Sequence, residues 1–396
     1  MNPILDRLQP YPFERLRRLL AGVEASPVHR PLNLSIGEPR HQTPALIRDA
    51  VVSSLDGLSS YPPTAGVEPL RAAIADWLRR RYGLSAIDAK TQVLPVNGSR
   101  EALFAFAQAT IDPGDGGWVV CPNPFYQIYE GAALLAGARP WFVEQAAAND
   151  FRCDWDAVPD EVWSRTRLLY VCSPGNPTGS VIPLDEWRRL FELSDRHGFT
   201  IASDECYSEI YHDESAPPMG ALQAAQRLGR SGFERLVVFS SLSKRSNVPG
   251  MRSGFVAGDA ALLERFLLYR TYHGSAMSPT YQAASVAAWS DEAHVRENRR
   301  MYREKFDAVT PVIASVLSTS RPEAGFYLWA GVPGGDDQAF CRELLRQYNV
   351  LSLPGSFLAR EHEGRNPGAG FVRLALVEPL ERCIEAAERI RNFASG

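Results

Sequence analysis

No apolar run in this sequence approaches the roughly 20 residues needed to cross a bilayer. The opening, MNPILDRLQPYPFERLRRLL, has no apolar signal core, so a cytoplasmic protein is expected. Cysteine is scarce. Cys121, Cys153, Cys172, Cys206, Cys341 and Cys383 lie far apart, without a C-x-x-C pair or a His/Cys cluster of zinc spacing, which argues against a metal site and for reduced thiols filling core positions. Charge of one sign is scarce too. A net charge of −4 gives no basis for a nucleic-acid surface. No internal repeat, heptad or low-complexity tract is present.

What is present is an ordinary globular composition, 45% apolar and 22% charged over 396 residues, with 30 glycines and 29 prolines to serve many short connections. Phe13, Leu16, Leu19 and Leu20 recur at helical spacing among arginines. That segment suits packing on a small domain or subunit better than lying on a membrane. From position 91 onward, short apolar runs alternate with helical patterns. Strands are expected at 91–95, 117–121, 138–143, 167–172, 199–203 and 236–240. The expected helices between and beyond them include 68–82, 126–135, 183–197 and 260–272. This alternation implies an α/β fold, a mostly parallel sheet covered by helices on both faces. A smaller α+β domain follows, with helices at 336–348 and 379–393 and strands at 325–329 and 371–376. The expected division is 1–48 as an arm and part of the small domain, 49–284 as the large domain and 285–396 as the small domain.

Ligands of such sheets bind beyond the carboxyl ends of the strands. Four segments fall there: the turn Asn97-Gly98-Ser99-Arg100, the loop SPGNPTG at 173–179, Asp204, and Lys244 in LVVFSSLSKRSNVPGMRSGF. Each has an ordinary reading. A lone lysine after a strand is usually solvated, Asp204 can cap a helix, Asn176 before Pro177 is a turn residue, and Tyr126 and Tyr207 can be packing aromatics. Their coincidence at successive strand ends is harder to dismiss. A lysine held away from water or near another cation yields a free amine that attacks carbonyls. If the ligand is pyridoxal 5'-phosphate, every segment finds a task. Lys244 forms the Schiff base, and Asp204 holds the ring nitrogen protonated. Asn176 and Tyr207 bond the phenolic oxygen, and Tyr126 stacks on the ring. Ser99, Ser241 and Arg252 hold the phosphate, and Arg373 pairs with a substrate carboxylate.

The stretches SPGNPTG at 173–179, SDECYSE at 203–209 and SSLSKRSNVPGMRSGF at 240–255 together resemble the class I aminotransferases of pyridoxal-phosphate fold type I. The resemblance runs from Gly37 to Arg373. It implies pyridoxal phosphate as cofactor and the catalytic set Lys244, Asp204 and Tyr207. Gly98, Ser99, Arg100, Ser241 and Arg252 fall on the phosphate cup, Tyr126 on the stacking position and Asn176 beside the phenolic oxygen. Gly37, Asn176 and Arg373 fall on substrate-binding positions. Tyr61 matches the tyrosine that reaches the phosphate of a neighbouring subunit, which implies a homodimer with shared sites. The substrates implied are amino and keto acids.

More narrowly, the opening, IGEPRH at 36–41 and PNPFYQIYEGA at 122–132 are similar to succinyldiaminopimelate transaminase. The expected reaction is then amino transfer between glutamate and N-succinyl-2-amino-6-oxopimelate in lysine biosynthesis, with Arg40, His41 and Arg100 as candidate cations for the extra anionic groups. The alternatives are a transaminase for aspartate, aromatic amino acids or diaminopimelate, a carbon–sulfur lyase on the same fold, and a non-catalytic sensor that binds the cofactor.

Overall fold

The computed structural model describes residues 1–396. A two-residue strand, β1 (Leu32–Asn33), precedes seven that form the main sheet. These are β2 (Val93–Val96), β3 (Trp118–Asn123), β4 (Arg139–Glu144), β5 (Thr166–Cys172), β6 (Thr200–Asp204), β7 (Leu236–Ser241) and β8 (Gly254–Gly258). Four short strands follow: β9 (Tyr327–Gly331), β10 (Val350–Leu351), β11 (Leu353–Pro354) and β12 (Phe371–Ala375). The main sheet has the order β2-β8-β7-β6-β5-β3-β4. All its strands run one way except β8, which is antiparallel to both β7 and β2.

The strands are apolar throughout because both faces are covered. Successive residues serve opposite cores. Val120, Leu169 and Val238 join one cluster, under the helices Glu68–Tyr82, Leu184–His197 and Pro279–Ser290. Val119, Leu168 and Val237 join the other, under Ser99–Thr110, Ile128–Leu135 and Ala260–His273. Each such fully buried aliphatic side chain contributes roughly 1.5–3 kcal/mol. Helix Pro279–Ser290 crosses the division expected at 284/285 and packs Ala284, Ala288 and Trp289 into the first of these cores. We therefore propose the division after Ser290.

A third core lies beneath β9, β11 and β12, where Phe306, Ile313, Leu344 and Ile390 meet Leu328, Val372 and Leu374. β1 pairs in parallel with β10, Leu32 opposite Val350, which ties the N-terminal segment to this part of the chain. The amphipathic segment forms the helix Pro12–Leu19, and its Leu16 is buried with Trp329, Leu353, Phe357 and Leu358. Its apolar stripe is thus used inside the molecule. No helix is long and apolar enough to cross a membrane.

Three elements differ from the expectation. β8 was not expected, because a three-residue apolar run between glycines carries little signal. The polar stretch from Glu292 is one long helix, Ala293–Ala314, whose buried side includes Asn298, Arg299 and Lys305 as well as Val295, Tyr302 and Phe306. Polar residues on its inner face hid the period. The strand expected at 325–329 starts two residues later, at Tyr327, after Gly325 in a left-handed conformation.

Candidate active site

β7 ends at Ser241, which caps the one-turn helix Leu242–Arg245 by accepting from the Ser243 amide at 3.1 Å. Lys244 sits on that turn. Its neighbour Arg245 points into the large core and anchors the turn from behind. Arg245 donates to the Ala288 carbonyl at 2.7 Å, pairs with Glu292 at 2.5 Å, and stacks on Trp289 with its guanidinium 4.8 Å from the ring centre. Lys244 Nζ lies 5.9 Å from the centre of the Tyr207 ring.

Asp204 ends β6, one strand over, and is 4% exposed. Its Oδ2 accepts from the Tyr129 hydroxyl at 2.8 Å and its Oδ1 from the Cys206 amide at 3.3 Å. Burial pushes its carboxyl group up, against the pull of these donors and of the Lys244 cation. A cationic partner facing Asp204 would therefore be held strongly. Tyr207 and Tyr327 bring their hydroxyls within 3.0 Å, and burial, with Tyr327 beside it, raises the Tyr207 phenol. Gly37 borders the same space, and a Cβ there would collide with the Tyr327 hydroxyl.

At the other end, Gly98, with φ of +81°, turns the chain from β2 into the helix Ser99–Thr110, leaving that helix's first amides facing the cavity. A Cβ on Gly98 would strike the Arg252 guanidinium. Arg252 is itself left-handed, with φ of +53°, and donates to the Pro249 carbonyl at 3.0 Å. Ser241 Oγ lies 2.9 Å from Ser243 Oγ and 3.1 Å from the Ser253 carbonyl oxygen. A helix N-terminus, an arginine and serine hydroxyls make an oxyanion cradle.

Arg373, on β12, enters from the small sheet. It is 4% exposed, donates through Nη1 to Asn176 Oδ1 at 3.0 Å and through Nη2 to the Ser35 carbonyl at 2.9 Å, and lies 4.4 Å from the Tyr327 ring centre. Its Nε is buried without a partner. An arginine so placed is available to a planar carboxylate.

Gly37, Ser99, Arg100, Tyr126, Asn176, Asp204, Tyr207, Ser241, Lys244, Arg252 and Arg373 line one cavity of about 350 Å³. Gly98 adjoins it through Arg252. Tyr61 does not line it and is fully exposed. Arg40 and His41, expected near the substrate's extra anions, turn elsewhere: Arg40 pairs with Glu378, and His41 bonds Asn298 at 2.8 Å. Of those three cations only Arg100 reaches the cavity, with its guanidinium 5.4 Å from the Tyr11 ring.

Sequence reasoning missed Tyr129, Tyr327 and Cys206, whose thiol lies 2.9 Å from Ser99 Oγ. It also missed that Tyr11, Pro12 and Phe13 roof the cavity. Tyr129 lies three residues after Tyr126, one helical turn away, and that spacing was the available signal.

These residues fit pyridoxal 5'-phosphate. The buried carboxylate of Asp204 suits a pyridinium nitrogen, the cradle at Gly98 and Arg252 suits a phosphate, and Lys244 lines the same cavity. The family model "Aminotransferase class I and II" matches residues 30–390. The chain belongs to this family and is a pyridoxal-phosphate-dependent aminotransferase of fold type I.

An aminotransferase structure from Neisseria meningitidis Z2491 is 54% identical, covers 100% of both chains and superposes with a TM-score of 0.96. The LL-diaminopimelate aminotransferase of Desulforudis audaxviator (strain MP104C) is 33% identical, over 98% of this chain and 96% of its own. A structure from Thermus thermophilus described as a probable N-succinyldiaminopimelate aminotransferase is 28% identical, with a TM-score of 0.84 over 96% of this chain and 99% of its own.

These findings correct the resemblance to succinyldiaminopimelate transaminase, since the curated relatives at 30–33% identity over nearly the whole chain are LL-diaminopimelate aminotransferases. The stretches that suggested it do reach the cavity, through Tyr11, Gly37 and Tyr126, but they carry no group that singles out a succinylated substrate. The opening packs on the small sheet, Arg40 and His41 face away from the cavity, and 122–132 carries Tyr126 and Tyr129 to the cofactor site.

Proposed function

We propose that this aminotransferase acts in diaminopimelate chemistry, moving an amino group between LL-diaminopimelate and 2-oxoglutarate. The observation that carries the reading is a pair of cations in one cavity, Arg373 buried at its inner wall and Arg100 exposed toward Tyr11. An amino acid with a second carboxylate at its far end engages both. Glutamate and 2-oxoglutarate also carry two carboxylates, so the same cavity serves each half of the reaction. The names of the curated relatives support this choice of acid.

When bound, pyridoxal phosphate supplies an aldehyde that condenses with amines and a ring that accepts the electrons left at Cα. The chain supplies the rest. Gly98, Ser99, Ser241 and Arg252 hold the phosphate, and Tyr126 covers the ring. Asp204 keeps the ring nitrogen protonated, with Tyr129 fixing the carboxylate. Asn176 and Tyr207 bond the phenolic oxygen. Arg373 would hold the α-carboxylate and so fix the orientation of the substrate's Cα toward Lys244. Lys244 Nζ, freed as an amine, would serve as the base that accepts the Cα proton and as the acid that holds it for return. Tyr11, Pro12 and Phe13 exclude water above it. Tyr61, exposed with Val52, Leu58 and Tyr272, completes the phosphate cup of a second copy of the chain.

The test is the visible absorbance of the purified, cofactor-loaded protein on adding LL-diaminopimelate. The expected result is loss of the band with stoichiometric keto acid, reversed by 2-oxoglutarate. A band that responds to glutamate and aspartate but not to LL-diaminopimelate rejects the assigned acid. Sedimentation of the protein as a monomer rejects the role given to Tyr61.

A further inference from the structure

The carbonyl of Lys244 is held from outside the cavity. It accepts from Asn298 Nδ2 at 3.1 Å, and the same amide group reaches the Arg245 carbonyl at 3.5 Å. Two carbonyls facing Nδ2 fix which end of the Asn298 amide is nitrogen, because the flipped amide would set three oxygens against one another. Asn298 Oδ1 then accepts from Asn247 Nδ2 at 3.0 Å and faces His41 Nδ1 at 2.8 Å. On the far side of the imidazole, Lys305 Nζ lies 2.7 Å from Nε2.

A lysine amine can donate to Nε2, and an amide oxygen only accepts, so the ring carries its proton on Nδ1. The other tautomer would place a donor against the lysine and two lone pairs face to face. Burial and the neighbouring Lys305 cation lower His41 to about 4, in keeping with a neutral ring. Asn298 is 0% and Lys305 2% exposed, and the His41 ring packs 4.6 Å from that of Tyr302. Thr43, two residues past His41, grips the same turn directly by donating to the Asn247 carbonyl at 3.1 Å.

We propose that Lys305, His41 and Asn298 form a directional relay of hydrogen bonds that positions the turn carrying Lys244. It runs from Lys305 through the Nδ1–H tautomer of His41 and the Asn298 amide to the lysine carbonyl. His41 and Asn298 are positioning residues and touch neither substrate nor cofactor. The relay begins beside Val377, just past the strand that carries Arg373, and passes through the loop that holds Gly37 on its way to Lys244. Three segments that handle substrate thus share one set of hydrogen bonds. The inference rests on the reading of Lys244 as the reactive amine.

The test compares H41F, H41N, N298D and the double variant H41F/N298D in the full chain. Phenylalanine keeps the ring packing and removes the donor. Asparagine restores a donor at the Nδ1 position. N298D keeps the shape and removes the donor to Lys244. H41F and N298D are each expected to lower kcat about tenfold through misplacement of the amine, with KM for the amino donor within about twofold. H41N is expected to restore most of the loss, and the double variant to lose no more than N298D alone.

The second readout needs no cofactor. Amide hydrogen exchange of residues 241–247 in the cofactor-free protein is expected to rise in H41F and N298D and to stay at its original rate in H41N. An unchanged kcat and exchange rate in N298D, or H41N as damaging as H41F, overturns the relay. The underlying reading fails differently: a visible cofactor band that survives in K244A overturns the role of Lys244 itself.

Discussion

Volume does not mark the cavity with the chemistry, since others of about 770, 490 and 480 Å³ exceed its 350 Å³. A groove of about 770 Å³ runs between Trp141, Trp155, Arg189 and His362 and is rich in carboxylates. Its ion pairs stand in water. Arg189 meets Asp156 at 2.5 Å with the two side chains 37% and 70% exposed, and Arg365 meets Glu144 at 2.9 Å with 75% and 37% exposed. Such pairs are worth about 0–1 kcal/mol each, and their charges are already screened. The smaller cavity holds Asp204 and Arg373, each 4% exposed. There a charge lacks solvent, so it binds an incoming counter-charge tightly and responds to its neighbours. What separates the two is desolvation of groups that still have a bond to give.

The comparison can be broken most directly at Lys244. K244A is expected to remove the visible cofactor band and to lower turnover by at least about 10²–10⁴-fold, the range of a positioned acid–base. Turnover near the original rate would leave the small cavity no more special than the groove.

Arg373 comes next. R373A is expected to raise KM for every amino and keto acid about 10- to 100-fold, from ~1.5–3 kcal/mol of hydrogen bonding to a charged group. An R373A enzyme with unaltered KM would show that the buried guanidinium serves only Asn176 and the Ser35 carbonyl.

A subtler effect sits behind the site. Glu205, buried and bonded to Tyr82, Ser203 and the Ala221 amide, is raised to about 7, chiefly by burial. The folded protein therefore holds this proton more tightly than the unfolded chain. Its contribution to stability is complete below the unfolded value, near 4.5, and is lost as pH rises through about 7. Thermal unfolding of E205Q is expected to depend less on pH between about 5 and 7 than that of the original protein. Parallel pH profiles would sink the assignment.

The smallest expected effect is none. D156N and R189Q, in the larger groove, are expected to leave kcat and KM within about twofold, as for exposed pairs. A selective loss of turnover there would erase the distinction between the cavities.

Much of the small cavity was readable from the chain because its residues stand at the ends of apolar runs. Asp204 closes β6, and Lys244 follows β7 by three residues. A buried parallel strand advertises itself by composition, and its carboxyl end marks where ligands gather. Tyr327 was not readable, and Tyr129 only through its spacing from Tyr126. Tyr327 sits among apolar neighbours and Tyr129 between Ile128 and Glu130, and only packing shows that the Tyr129 hydroxyl meets Asp204 and the Tyr327 hydroxyl meets Tyr207. Arg40 and His41 misled for a related reason. Cations next to Gly37 suggested anion binding, but the fold supplies Glu378 for one and a buried asparagine for the other. The choice of acid was the least legible part, since no motif in the sequence has a chemistry that singles out one acid.

The roof of the cavity is made by the first residues of the chain. Tyr11, Pro12 and Phe13 lie over the site, and Leu16 clips their helix to the small sheet. The machinery below depends on strand ends that begin only near position 96. The cover and the reacting groups beneath it are therefore separate parts of the chain. Substitutions at Tyr11 or Phe13 are expected to change how the cavity is shielded from water without moving the strand ends that carry Asp204, Lys244 and the phosphate cradle.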